Sequence, residues 1–365
     1  MRVLIAPDKF AGTLSAVEAA EAIAEGWRRQ APHDVLDLVP MADGGPGFDD
    51  VLHASLGGEL LAVSVRGPYG EEVPGSVLLV DGTAYVESAQ ACGLHLTPPD
   101  QRRPEDATTY GVGELVREAV RSGATRVVVG LGGSATNDGG AGLLAALGAT
   151  SVKEDTLTRG AAGLAHVESV DLGAARGAVA GVELVAASDV DNPLLGLTGA
   201  TNVYGPQKGV TADRLQAVDA LLERLAVATD RKVALAKGAG AAGGLGFALL
   251  LLGASRMPGI DVVTSAVGLA DRARRADLVI TGEGAFDFSS RSGKVPYGVA
   301  AIAAEALQPC IALAGQVLVG SRETRALGVE PAYSVVDLVG EQASFADPGG
   351  SLAALAERTA RSWSR

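Results

Sequence analysis

The run Val127-Val128-Val129-Gly130-Leu131-Gly132-Gly133-Ser134-Ala135-Thr136-Asn137-Asp138-Gly139-Gly140-Ala141-Gly142 decides how the chain is read. Three valines in a row predict a short, buried strand. A glycine-rich turn follows, carrying only small hydroxyl, amide and acid side chains. Leu143, Leu144 and Leu147 then fall at helical spacing, with Gly148 as a stop. Strand, bare turn and helix start are the ingredients of an anion site, where backbone N–H groups and a helix dipole face a phosphate. The competing reading is a tight turn that lets strand and helix pack closely. Ser134-Ala135-Thr136-Asn137-Asp138 favours the functional reading, because packing does not call for five small, mostly polar residues in succession.

Around this stretch lies a chain of 365 residues, long enough for about two domains. It is 47% hydrophobic but 4% aromatic, so the core must be built from Ala, Val and Leu. A net charge of −13 argues against nucleic acid and anionic membrane as partners, and requires a local cationic pocket for any anionic ligand. Cys92 and Cys310 have no zinc-type spacing and point to a reducing compartment. The apolar part of Met1-Arg2-Val3-Leu4-Ile5-Ala6-Pro7-Asp8 is too short for a signal peptide. No uncharged apolar run reaches the roughly 20 residues of a membrane span; glycines break the nearest, 239–254. The expectation is a soluble, cytoplasmic protein.

In chain order, Val3 to Ala6 reads as a strand, and Ser15 with Glu18 as a capping box. Ala16, Ala20, Ile23, Ala24 and Trp27 form the buried face of the helix that follows. Val35 to Val39 is a second strand. From Leu60 to Ser88 the pattern becomes a hairpin, with Asp81-Gly82 at its turn, and marks a second domain. Val182 to Ala187, Asp277 to Thr281 and Cys310 to Ala314 are further strands. Tyr204 to Gly209 is expected as a loop, and Gly238 to Gly246 as a glycine turn opening an apolar helix. A last helix is expected near Leu352 to Arg358.

Acids recur just after apolar strands: Asp8, Asp43, Asp138, Asp189, Asp191 and Glu283. In open α/β sheets ligands bind outside the carboxyl ends of the strands, so these acids are expected along one edge. Carboxylates facing glycine-rich turns, without histidine, suggest Mg2+ and phosphate. Phosphoryl transfer requires donors on the phosphates, a hard cation and a carboxylate for a hydroxyl proton. His33, His53, His95 and His166 lie outside the motifs. A Walker A run is absent: Val295 follows Gly293-Lys294, and Phe288 stands at the first glycine position. Gly238-Ala239-Gly240-Ala241-Ala242-Gly243, with Asp261 roughly 20 residues on, fits a dinucleotide fingerprint, as does Gly130 to Ala135. An NAD-dependent oxidoreductase is therefore the competing class, with a non-catalytic binding protein behind it.

Together the motifs resemble the bacterial glycerate kinases that phosphorylate D-glycerate with ATP. The likeness runs through Ala6-Pro7-Asp8-Lys9-Phe10, Met41-Ala42-Asp43-Gly44-Gly45, Gly130 to Gly142, Ser188 to Pro193, Gly205 to Gly209, Gly238 to Gly246 and Ile280 to Gly284, in the family's order. The family often carries Lys where this chain has Ala11, Glu where it has Pro46, and Arg or another residue where it has Ala285. The resemblance implies two α/β domains with the site in the cleft between. A doubly wound, mostly parallel, Rossmann- or flavodoxin-like domain (1–64 with 272–365) would carry an inserted mixed-sheet domain (65–271). It implies ATP and Mg2+ as cofactors and D-glycerate as substrate. The favoured product is 2-phosphoglycerate, with 3-phosphorylation or a related hydroxy acid as the alternative. A monomer or homodimer is expected.

On that basis Asp189 and Asp191 are expected as base and metal contact, with Lys208 and Lys294 neutralising phosphate. Gly132, Gly133, Ser134, Asn137 and Asp138, with Gly282 and Gly284, are expected to hold nucleotide phosphate. Glu283 and Asp287 join Asp189 as metal ligands. Asp8, Lys9 and Asp43 are placed near substrate, and Arg291 on its carboxylate, which a guanidinium fork suits.

Overall fold

The computed structural model describes residues 1–287 and 294–364. The chain is mixed α/β and divides into two compact units. One comprises Met1–Asp43, Asp50–Gly57 and Ile260–Arg365, the other Gly44–Asp49 and Gly58–Gly259.

The first unit is built on a five-stranded sheet with the order Ala332–Ser334, Cys310–Ala314, Leu278–Thr281, Arg2–Ile5, Val35–Leu38, every pair parallel. Counted along the chain this is the 2-1-3-4-5 order of flavodoxin-like doubly wound folds, whose strand order reverses between the first and third strands. Val3-Leu4-Ile5 and Leu278-Val279-Ile280 are continuous apolar runs and are almost wholly buried, as parallel strands covered on both faces should be. Helix Ala16–Gln30 begins at a complete capping box between Ser15 and Glu18, and Ala16, Ala20, Ile23, Ala24 and Trp27 all face the core. Trp27, fully buried, donates its indole N–H to Asp34 at 2.9 Å. Helix Pro348–Trp363 packs on the same helix, longer at both ends than its apolar pattern predicts. Each large apolar side chain enclosed this way contributes about 1.5–3 kcal/mol.

The second unit holds a six-stranded mixed sheet with the order Ser255–Met257, Glu183–Ala187, Arg126–Gly130, Thr83–Glu87, Glu72–Val80, Glu59–Arg66. The last two joins are antiparallel and the others parallel. Its strands follow chain order across the sheet, so the order never reverses. Asp81 and Gly82 both have positive φ, +46° and +80°, the backbone a tight hairpin needs.

The contact-based division differs from the expected 64/65 and 271/272 boundaries for two reasons. Strand Glu59–Arg66 is paired along its length with Glu72–Val80, and so belongs to the second sheet. Helix Leu269–Arg274 is tied to the first unit, where Arg272 pairs with Asp37 at 2.6 Å. The segment Tyr204–Gly209, expected as a loop, is the end of helix Ala200–Lys208, stopped by Gly209 at φ +102°. No helix among the described residues is long and apolar enough to cross a membrane.

Candidate active site

The strands that flank the reversal in the first unit run on into loops that keep the sheet's spacing. Ala6 N–H donates to Ile280 O and Asp8 N–H to Gly282 O, at 2.7 and 2.8 Å. On the other side Val39 N–H donates to Ile5 O and Met41 N–H to Pro7 O, at 2.8 and 2.9 Å. The chain after the first strand is therefore clamped between the chains after the second and third. Gly282 lets this happen: a Cβ there would meet Leu313 O at 2.1 Å. Gly284 lies against Phe10 and Ala11 in the same layer.

Asp43 and Glu283 both lie within electrostatic reach of Asp8 at this switch point. Asp8 is 8% exposed. Burial first, and then the Asp43 carboxylate, push its carboxyl up to about 7. The Lys9 ammonium and the Lys9 N–H, which donates to Asp8 Oδ1 at 2.8 Å, pull the other way, and Glu283 adds a smaller push. Lys294, the residue before helix Val295–Glu305, lies 3.9 Å from the Glu283 carboxylate. Asp287 is half-buried just beyond the short strand Ala285–Phe286. Arg291 lies outside the described residues. The result is a buried acid poised near neutrality, two further acids and two lysines on the ligand edge of a doubly wound sheet.

The glycine-rich stretch of the second unit is built differently, and several expectations change with it. Leu131 N–H donates to Ala187 O and Gly132 N–H to Gly44 O, at 3.0 and 3.1 Å. A Cβ on Gly132 would meet Gly45 at 2.3 Å, and one on Gly133 would meet Pro46 at 2.8 Å. At both glycines the chain packs closely against Gly45 and Pro46. Asp138 is fully buried and accepts four hydrogen bonds, from Thr109 N–H and Oγ1 and from the N–H groups of Gly140 and Gly142, all between 2.9 and 3.2 Å. Burial raises its carboxyl while these donors hold it back. Thr109 Oγ1 also accepts from Leu143 N–H at 3.0 Å. The N–H groups of Gly140, Gly142 and Leu143 at the start of helix Ala141–Ala146 are thus satisfied from within, by Asp138 and Thr109.

Ser134 and Asn137 are buried too. Asn137 donates to Thr201 at 2.9 Å, and Ser134 Oγ accepts from Lys208 at 3.0 Å. Lys208, expected to neutralise phosphate, is 2% exposed and also donates to Thr136 O at 2.7 Å. It ties helix Ala200–Lys208 to the glycine-rich stretch. Burial brings its ammonium down to about 8, against the opposing pull of Cys92 and Asp138.

Asp189 and Asp191 have different partners. Asp189 accepts from Gly259 N–H at 3.0 Å, whereas Asp191 is exposed and ion-paired with Arg256 and Lys237 at 2.7 and 3.3 Å. The expected dinucleotide fingerprint fails on context. Gly238 follows a 3-10 turn, Val233–Leu235, not a strand, and a Cβ on Gly243 would meet Thr136 O at 2.0 Å. Those glycines pack on the first glycine-rich stretch, and Gly139 N–H donates to Gly243 O at 3.0 Å.

Glu87 escaped the sequence reading. It ends strand Thr83–Glu87 and accepts from the N–H groups of Gly47 and Phe48 at 2.9 and 3.0 Å. The rule that found the other acids, a carboxylate closing an apolar strand, applies to it as well.

The first unit's sheet and its acid-lined edge define a doubly wound α/β protein, a class whose ligands bind at such switch points. The model of the glycerate kinase family matches residues 3–364. The chain is 42% identical over 345 residues to the glycerate kinase of Bacillus subtilis (strain 168), covering 92% of this chain and 90% of that protein. It is 38% identical over 349 residues to the glycerate 2-kinase of Escherichia coli (strain K12), covering 93% and 92%. The crystal structure of a Salmonella typhimurium LT2 protein assigned as glycerate kinase 2 superposes with a TM-score of 0.84 at 36% identity, covering 99% of this chain and 98% of that one. The chain belongs to the glycerate kinase family.

Proposed function

We propose that this protein transfers the γ-phosphoryl group of ATP to the 2-hydroxyl of D-glycerate, giving 2-phosphoglycerate and ADP. Family membership supports the reaction class, and Asp8 supports the mechanism. A general base works best with a pKa near the operating pH, and Asp8 is raised to about 7. Its carboxylate accepts the hydroxyl proton while the alcohol oxygen bonds to phosphorus and the bond to ADP breaks. Lys9 and Lys294 offset the negative charge of the ligands. Arg291 remains the candidate for the substrate carboxylate.

The donor set suits Mg2+ in one respect: Asp43 and Glu283 offer hard oxygen ligands, with Asp287 as a further candidate. No group of three or more His, Cys, Asp or Glu among the described residues is disposed to hold a metal by itself. Mg2+ typically keeps waters and takes one or two carboxylates plus phosphate, so this fits. Bound there, it would supply charge neutralisation on the phosphates. Two unpaired, buried cysteines agree with a reducing, cytoplasmic setting.

The test is ADP release from ATP, Mg2+ and D-glycerate, with the product read by phosphorus NMR. The expected product is 2-phosphoglycerate. A 3-phosphoglycerate signal would move the reading to the other hydroxyl, and no ADP release from pH 6 to 9 would end it.

A further inference from the structure

An uncharged hollow in the first unit lies one step along the same edge. It measures about 230 Å3 and is lined by Phe10, Val335, Val336, Phe345, Leu352 and Gln316, among others. Ala11, Ala285 and Gly315 complete its mouth. Every loop on its strand side leaves the carboxyl end of a strand: 10–13 after Arg2–Ile5, 284–285 after Leu278–Thr281, 315–316 after Cys310–Ala314 and 335–336 after Ala332–Ser334. Ligands of open α/β sheets bind at that end. Phe10 is two residues beyond Asp8, and Gly284 directly follows Glu283, so the hollow and the acid group share two loops.

Its chemistry narrows the occupant. No lining side chain carries a charge, so neither a phosphate nor a carboxylate belongs inside. Pockets for drug-sized ligands run to roughly 300–1,000 Å3, so this one takes a single ring system rather than a whole nucleotide. Phe345 is 62% exposed although it forms a wall, which leaves an aromatic face for a flat ring to cover. The floor is fixed: Ala285–Phe286 pairs in parallel with Gln316–Val317, and Gln316 N–H donates to Gly284 O at 2.9 Å. The side-chain amide of Gln316 carries a donor and an acceptor, the pair that matches adenine N7 and N6.

We propose that this pocket, between Phe10 and Phe345 with Gln316 at its polar end, holds the adenine ring of the nucleotide and directs the phosphates toward Asp8 and Glu283. The inference rests on the phosphotransfer reading for its ligand, but its test does not need turnover. Adenosine and ADP are titrated calorimetrically into the full chain, without glycerate, alongside the Ala285→Phe and Gln316→Leu variants. Ala285 is exposed, so Phe there fills the mouth without disturbing the core. Adenosine and ADP should bind the wild type. Ala285→Phe should weaken both at least tenfold, and Gln316→Leu should weaken adenosine several-fold and narrow its advantage over inosine. Thermal unfolding of each variant should match the wild type. If the wild type binds neither ligand, or a natively folded Ala285→Phe binds both unchanged, the assignment is wrong. Adenosine binding that responds to both variants, in a protein that never phosphorylates glycerate, would keep the pocket and remove the reaction.

Discussion

Two aspartates of this molecule follow an apolar strand into a glycine-containing loop, and the fold treats them in opposite ways. Asp8 is buried against one backbone N–H and two other acids, and is left near neutrality. Asp138 is buried against four donors and closes a helix start. The local sequence signal is similar; the sheet around it is not. Asp8 stands where strand order reverses, so the loops on either side turn to opposite faces and leave a crevice between them. Asp138 follows a sheet whose strands run in sequence, and the glycines beside it pack against Leu225, Ala248 and Gly244. Burial alone therefore does not mark a reactive carboxylate. What matters is whether the protein has already supplied its hydrogen-bond donors.

The sharpest way to break this comparison is to replace each acid by its amide. Asp8→Asn should lower kcat by about 10²–10⁴-fold, the usual share of a general base, with the fold intact. Its stability profile should shift as well. The folded carboxyl titrates near 7 and the unfolded one near its ordinary value of 3.8, so the native state binds the extra proton between them. Wild-type stability from this group is full at low pH and falls as pH rises from about 4 to 7, by up to about 4 kcal/mol. Asp8→Asn should flatten that fall in urea titrations. A variant with wild-type kcat and an unchanged stability profile would remove Asp8 from the chemistry.

Asp138 should answer to the other measurement. Asp138→Ala leaves buried N–H and O–H donors without an acceptor and should cost about 3–5 kcal/mol, seen as a lower urea midpoint at constant m. Asp138→Asn should recover little, because its NH2 faces donors. At a temperature where the variant is folded, the KM for ATP should stay within about threefold of wild type, since no phosphate contact is lost. A variant that folds normally but binds ATP tenfold more weakly would restore the anion-site reading of the glycine-rich stretch.

How much of this was legible beforehand depends on range. The strands of both sheets other than the edge strands Ser255–Met257 and Ala332–Ser334, the capping box at Ser15 and the hairpin at Asp81-Gly82 follow from periodicity and turn chemistry, which act over a few residues. The strand-end rule picked out Asp8, Asp43 and Glu283, because apolar strands advertise their own ends. It could not rank them against Asp138 or Asp191, since the Thr109 hydroxyl and the Arg256 guanidinium that occupy those acids come from distant parts of the chain. The segment that carries Lys208 was read as a loop for a similar reason. Pro206 and Gly209 signal a loop, but Pro206 is accommodated within a helix whose end carries Lys208 inward. The uncharged pocket near Phe10 draws its walls from four strand-end loops, and no local pattern encodes that meeting.

Lys208 gives the smallest expected effect and the finest cut between the two readings. An ammonium at a phosphate would be lost with most of the activity, whereas a buried tie between a helix and a loop can be replaced by an apolar chain of similar length. Lys208→Met should therefore keep kcat within about threefold and change stability at pH 7 by no more than about 1–2 kcal/mol, because the lost hydrogen bonds are offset by relief of a buried charge. The pH dependence separates this from coincidence. The folded ammonium titrates near 8, below its ordinary value of 10.5, so the native state releases its proton first and wild-type stability rises between those values. That rise, up to about 3 kcal/mol, should be missing from Lys208→Met when the two proteins are unfolded side by side from pH 7.5 to 10.5. Parallel profiles would mean that the ammonium is not desolvated in the folded state, and a large fall in kcat would return Lys208 to the phosphate.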